Sequence, residues 1–171
     1  MELEAGDIFK KILRGKVVIV GIGNALRGDD GLGSILVERL KGKVEAVCID
    51  AGNALENYLG SIVKEKPDTL LLIDAAHLDR LPGEYQIIDP GDLIRSGFST
   101  HDISAGMLIE LLSRQIKGNI YLLGVQPEEV DFGEKLSARI ESTLCILEKA
   151  IVEAVNCADR LYYLEKDGVK G

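Results

Sequence analysis

The stretch Val17-Val-Ile-Val-Gly-Ile-Gly-Asn-Ala-Leu-Arg-Gly-Asp-Asp-Gly-Leu-Gly33 decides the fold of this chain. Its opening run, Val17–Ile22, is apolar and rich in β-branched side chains, as in a strand buried on both faces of a parallel sheet. A turn rich in Gly and Asp follows, and then Leu32, Ile35, Leu36 and Leu40 repeat at helical spacing. Working outward, Val44–Asp50 reads as a second strand ending in Asp-Ala-Gly. Asn53 and Glu56 stand three apart, like a capping box, and predict a helix opening near Ala54. Thr69–Ile73 is a third apolar strand, ending at Asp74. This βαβαβ order predicts a doubly wound sheet with helices on both faces.

Past Asp74 the rhythm changes. Glu84–Ile88 reads as a strand, but only about ten residues separate it from the previous one, with Pro82-Gly83 between. A parallel crossover needs a dozen residues or more, so this strand is expected to run antiparallel. A polar loop, Asp89–Asp102, leads to a helix carrying Met107, Leu108, Leu111 and Leu112, and Gly118–Val125 is the last strand. Leu136, Ile140, Leu144, Leu147 and Ile151 then mark a long amphipathic helix that covers the core. The segment from Asn156 to Gly171 is charged and reads as an irregular, flexible tail, leaving a core of residues 16–155.

The 171 residues suit one domain, 46% hydrophobic and 28% charged, with enough aliphatic content for a real core. A formal net charge of −8 repels phosphate backbones, which argues against nucleic acid as a partner. The three cysteines, Cys48, Cys145 and Cys157, lack C-x-x-C spacing, which excludes a disulfide framework and suits a reducing compartment. The acidic N-terminus does not resemble a signal peptide, and no apolar run approaches the ~20 residues needed to span a bilayer. A cytoplasmic protein without membrane insertion is expected.

Ligands of open α/β sheets gather at the carboxyl ends of the strands. Those ends carry Asp29 and Asp30, Asp50, and Asp74 with His77, and the loop segment Thr100-His101-Asp102 follows, so the four strand-end acids and the His101 imidazole are expected on one rim. A dinucleotide fingerprint fails on spacing, because Leu26 stands where a third Gly or Ala is required. Asp29 is read as a helix cap and dipole partner only. Asp30 could do the same or point inward. Asp74 is harder to explain structurally, because a carboxylate among Leu, Ile and Ala costs several kcal/mol unless paired, protonated or metal-bound. If the loop carrying His101 folds over the rim, Asp30, Asp74 and His101 make an O,O,N site for a borderline metal such as zinc or nickel. His77 is a competing ligand more at home on the surface. Neither an H-E-x-x-H nor a G-x-S-x-G motif is present.

Seven fragments occur in order: Gly21-Ile-Gly-Asn, Arg27-Gly-Asp-Asp-Gly-Leu-Gly, Asp50-Ala-Gly-Asn, Ile73-Asp-Ala-Ala, Pro82-Gly-Glu, Ser99-Thr-His and Gly124-Val-Gln-Pro-Glu. Together, across Lys16 to Ala154, they resemble the [NiFe]-hydrogenase maturation endopeptidases, in particular the formate-hydrogenlyase-type branch. The resemblance implies a three-layer α/β/α fold, phosphorylase/hydrolase-like, with a five-stranded mixed sheet and one antiparallel strand. It implies removal of a C-terminal extension from the nickel-loaded precursor of a [NiFe]-hydrogenase large subunit. Carried over residue by residue, it makes Asp30, Asp74 and His101 the metal ligands, with Asp30 and Asp74 catalytic and Asp50 an aid to recognition. The nickel would arrive with the substrate, and zinc or cadmium could take its place. Whether catalysis is aspartate-dependent or nickel-dependent stays open, as does a fourth ligand at His77. A non-catalytic nickel-sensing chaperone and a small-molecule metallohydrolase are the alternative functions.

Overall fold

The computed structural model describes residues 2–89, 91–92, 103–133 and 135–167. Helix α1 (Glu2–Ile12) precedes β1 (Val17–Ile22), a 3₁₀ turn (Gly28–Gly31), α2 (Leu32–Leu40) and β2 (Val47–Gly52). A second 3₁₀ turn (Leu55–Tyr58), α3 (Leu59–Glu65), β3 (Thr69–Ala75) and β4 (Tyr85–Ile88) follow. Helix α4 (Ile103–Gln115), β5 (Asn119–Val125) and α5 (Ala138–Asp167) complete the described chain.

The five strands form one sheet in the order β2-β1-β3-β5-β4. Strand β1 pairs parallel with β2 and β3, and β3 pairs parallel with β5. Strand β4 alone among the described strands is antiparallel, pairing with β5 from Tyr85↔Val125 to Ile88↔Leu122. The short Pro82-Gly83 connection fixes that direction, since no crossover helix fits in it. The chain steps from β1 outward to β2 and then returns to β3 on the other side. The gap between the carboxyl ends of β1 and β3 is therefore the topological switch point, where open α/β sheets place their ligands.

Alternation along the strands divides the core into two layers. Ile19, Leu71 and Ile73 face α1, α2 and α5, meeting Phe9, Leu13, Leu36, Val37, Leu144 and Leu147. Val18, Val20, Leu70 and Leu72 face α3 and α4, meeting Ile62, Ile109 and Leu112. At ~25 cal/mol per Å² of apolar surface removed from water, these two layers are the main source of stability.

Three local expectations need correction. No side chain caps the turn at Ala54 or α3, and the helix opens at Leu59 after a 3₁₀ turn, so the Asn53–Glu56 pair makes no capping box. Strand β2 occupies Val47–Gly52 rather than Val44–Asp50, because its register against β1 begins at Val18↔Val47. On α4 the buried stripe is Ile109, Leu112 and Ile116, which leaves Met107 and Leu111 exposed. Residues 156–167, read as irregular, continue α5 to Asp167. Helix α1 lies outside the sequence reading altogether, although Ala5, Phe9 and Leu13 are spaced by four and all buried.

Candidate active site

The glycines of the opening stretch let α2 sit directly on the sheet. A methyl group on Gly33 would lie 2.3 Å from the carbonyl oxygens of both Ile22 and Ile73, so only Gly allows the helix to span β1 and β3 there. Gly23 has φ +137°, and a Cβ on it would lie 1.8 Å from the Asp30 carbonyl oxygen. This close packing brings the 3₁₀ turn carrying Asp30 back over the end of β1. The Asp30 carboxylate accepts the backbone N–H of Asn24 at 3.1 Å, which fixes its orientation.

Asp74 stands at the end of β3, in register with Gly124 of β5. Asp74 is half-buried, and its loss of water is the largest cause of a pKa raised from 3.8 to about 8. The negative charge of Asp30 adds to the rise, and a hydrogen bond from the Ala75 backbone opposes it. Asp30 and Asp74 thus share one electrostatic environment at the switch point. Half-buried hard oxygens whose charges repel one another suit a divalent cation, which would offset both.

Asp29 plays a different part from the one expected. It does not cap α2, whose first turn takes no side-chain hydrogen bond. It is fully buried, and its Oδ2 accepts the backbone N–H groups of Glu128 and Glu129, each at 2.9 Å. Its Oδ1 accepts the N–H of Ser137 at 2.7 Å. Backbone bonds from Gly28 to Gly133, Asp29 to Glu129 and Gly133 to Leu26 strengthen the same seam. One buried carboxylate therefore clamps the loop after β5 onto the loop that carries Asp30.

A second brace lies at the neighbouring strand end. Buried Gln126 accepts the Leu78 N–H at 2.7 Å through its side-chain oxygen, while Ala76 donates its N–H to Val125. The segment leaving β3 beyond Asp74 is held to the end of β5 by this pair. Gln126 stands inside the Gly124-Val-Gln-Pro-Glu fragment, but its position alone gave no sign of this task.

The remaining candidates do not all converge. Asp50 lies level with Gly21 and Ile73 across β1, and both its strand neighbours, Ile49 and Ala51, pack into the α3/α4 layer. Its side chain therefore projects on the α2 side, opposite to that of Asp74, and it accepts the Gly52 N–H at 3.0 Å. His77 is exposed, as expected. His101 lies outside the described residues. Among the described residues, no group of three or more His, Cys, Asp or Glu side chains is arranged to hold a metal ion. Of the four acids expected on one rim, Asp30 and Asp74 meet.

The sequence model for hydrogenase maturation proteases of the HycI type matches residues 34–154, well over half of the chain. The chain belongs to the hydrogenase maturation protease family. The hydrogenase 3 maturation protease of Escherichia coli K12 is 38% identical over 118 residues, covering 67% of this chain and 75% of that protein. The crystal structure of the [NiFe] hydrogenase maturation protease HycI from Thermococcus kodakarensis KOD1 superposes with a TM-score of 0.80. Identity there is 31%, with 87% of this chain and 99% of that one covered. The solution structure of the endopeptidase HycI from Escherichia coli gives 0.68 at 30% identity, covering 79% and 88%. As a hydrogenase maturation protease the chain is a hydrolase, which sets aside the chaperone and small-molecule metallohydrolase alternatives.

Proposed function

We propose that this protease removes the C-terminal extension from the nickel-loaded precursor of a [NiFe]-hydrogenase large subunit. The observation that carries the reading is the half-buried carboxyl of Asp74 beside Asp30 at the switch point, its pKa raised to about 8. Such a pair is poorly accommodated on its own and is relieved by a cation brought from outside. The precursor's nickel supplies that charge when it docks, with His101 as the nitrogen ligand by its place in the sequence.

The pair then has a role in hydrolysis. Freed of its proton, a carboxylate of Asp30 or Asp74 accepts one from water as the water oxygen attacks the scissile carbonyl carbon. The same group returns that proton to the departing amide nitrogen, which leaves as an amine at the new N-terminus of the released tail. Asn24 and Ala75 hold the two carboxylates in place for both transfers. Cleavage conditional on substrate-borne nickel spares unloaded precursors. Zinc or cadmium, as borderline to soft ions, would occupy the same donors.

The setting is the cytoplasm, where Cys48, Cys145 and Cys157, all free thiols here, remain reduced. No helix among the described residues is long and apolar enough to cross a membrane.

Two incubations test the mechanism by mass analysis of the released tail. Metal-free enzyme with nickel-loaded precursor should release it, whereas zinc-loaded enzyme with nickel-free precursor should not. Release only in the second mixture would replace this mechanism with that of an ordinary metalloprotease.

A further inference from the structure

We infer that Leu26 and Phe132 form an apolar anchor on which the body of the large-subunit precursor docks next to the cleavage site. Phe132 is 88% exposed and Leu26 50%, on loops that the fold otherwise fastens tightly. Gly133 donates its N–H to the Leu26 carbonyl at 2.9 Å, Arg27 bridges to Gly133, and the Leu26 N–H is held by Asn24 Oδ1 at 3.0 Å. The two side chains thus stand on two loops joined by these bonds, and Asp29 ties the same loops together through Glu128, Glu129 and Ser137. A solvent-facing phenylalanine on such a braced surface is a feature of interaction sites, where aromatic anchors carry much of the binding.

The occupant follows from continuity with the cleavage site, so this inference rests on the proposed function. Asp30 is fixed to the N–H of Asn24, two residues before Leu26. A polypeptide with its scissile bond at Asp30 therefore lies beside residues 24–27 and the 131–133 segment bonded to them. Charges around the anchor are mixed: Glu128, Glu129 and Asp131 stand with Arg27, Lys135 and Arg139, and Arg139 pairs with Glu128 at 3.9 Å. Docking here is accordingly apolar in character, with little dependence on salt. The partner surface it fits is an apolar depression on the precursor, flanking the start of its C-terminal extension.

The test compares wild type, Phe132→Ala, Leu26→Ser and the conservative Phe132→Leu on full-length nickel-loaded precursor. Both truncating variants should raise KM tenfold or more, leave kcat within twofold and keep the wild-type melting midpoint. Phe132→Leu should recover most of the loss. KM within twofold of wild type for Phe132→Ala would overturn the anchor while leaving the proposed function intact. A lowered melting midpoint would overturn it too, by assigning Phe132 to the fold. Sedimentation of the protein alone covers the remaining occupant: dimerisation abolished by Phe132→Ala, with KM unchanged, would assign the patch to a second copy of this chain. If the wild type itself releases no tail, the proposed function fails and the anchor with it.

Discussion

Asp29 receives the backbone N–H of Ser137 at 2.7 Å, across 108 positions of the chain. Two further N–H groups, from Glu128 and Glu129, converge on the same buried carboxylate. A fully buried carboxyl with three N–H donors is a tertiary joint, and Asp30 is the next residue along the chain.

Asp29→Asn should therefore be harmful, contrary to the reading of Asp29 as a dispensable cap. The amide has one acceptor oxygen, so at least one converging N–H would meet an NH₂ group and lose its partner. A buried donor left unsatisfied costs about 1–3 kcal/mol, and a hydrogen bond to a charged group is worth a similar amount. The expected loss is about 2–4 kcal/mol by denaturant titration, with Asp30→Asn staying within about 1 kcal/mol of wild type. Equal midpoints for Asp29→Asn and wild type would remove Asp29 from the fold's framework.

Asp74→Asn should abolish cleavage and yet stabilise the metal-free protein. The carboxyl ionises near 3.8 when unfolded and near 8 when folded, so the unfolded chain gives up its proton first. Stability from this group is complete below pH ~4, declines as pH rises towards 8, and is flat above. The neutral amide has no such slope. At pH 7, in chelator, the variant should be more stable by roughly 2–4 kcal/mol, at ~1.4 kcal/mol per pKa unit. Guanidinium titrations at pH 4 and pH 8 measure the gap, and a gap that shrinks with rising pH contradicts the burial argument.

Gly33→Ala should cost about 3 kcal/mol or more, because the methyl has two backbone oxygens to displace and no flexible side chain that can yield. Gly60→Ala, at a helical position with open space around it, provides the control and should be neutral or slightly stabilising. Thermal melts of the two variants should separate widely; parallel melts would mean that α2 can shift off the sheet at little cost.

Phe9→Ala should destabilise by ~3–5 kcal/mol, the usual cost of emptying a fully buried phenylalanine site. Hydrogen exchange should show the added opening in α1 and α5 first, since these two helices share the cluster that Phe9 fills. Unchanged exchange in α5 would indicate that α1 is only loosely attached.

The number and direction of the strands were legible because apolar runs and the Pro82-Gly83 connection are local signals that packing then obeys. Asp74 was legible for the same reason, being a carboxylate at the end of an apolar strand. Asp29 was not: its three donors lie about 100 positions away, and no local pattern distinguishes a clamp from a cap. Asp50 lies near the carboxyl end of β2 as expected, but strand alternation sends its side chain to the face opposite that of Asp74, and that pairing of faces shows only in the folded sheet. Met107 and Leu111 show the opposite limit, since helical spacing alone does not tell which of two apolar stripes turns inward. Helix α1 carried a readable spacing, Ala5, Phe9 and Leu13, diluted by the charged residues between them.

The packing of α1 against α5 has a consequence for the order in which the chain is made. Phe9 leaves the ribosome more than a hundred residues before the helix face that shares its cluster, Leu147 to Ala154. A chain interrupted before residue 140 would carry an open apolar seam on one side of its sheet, whatever the state of its strands. Pairings this distant in sequence close late and slowly. The active-site clamp from Asp29 to Ser137 is delayed for the same reason, so the half-made enzyme has neither a sealed core nor a formed site.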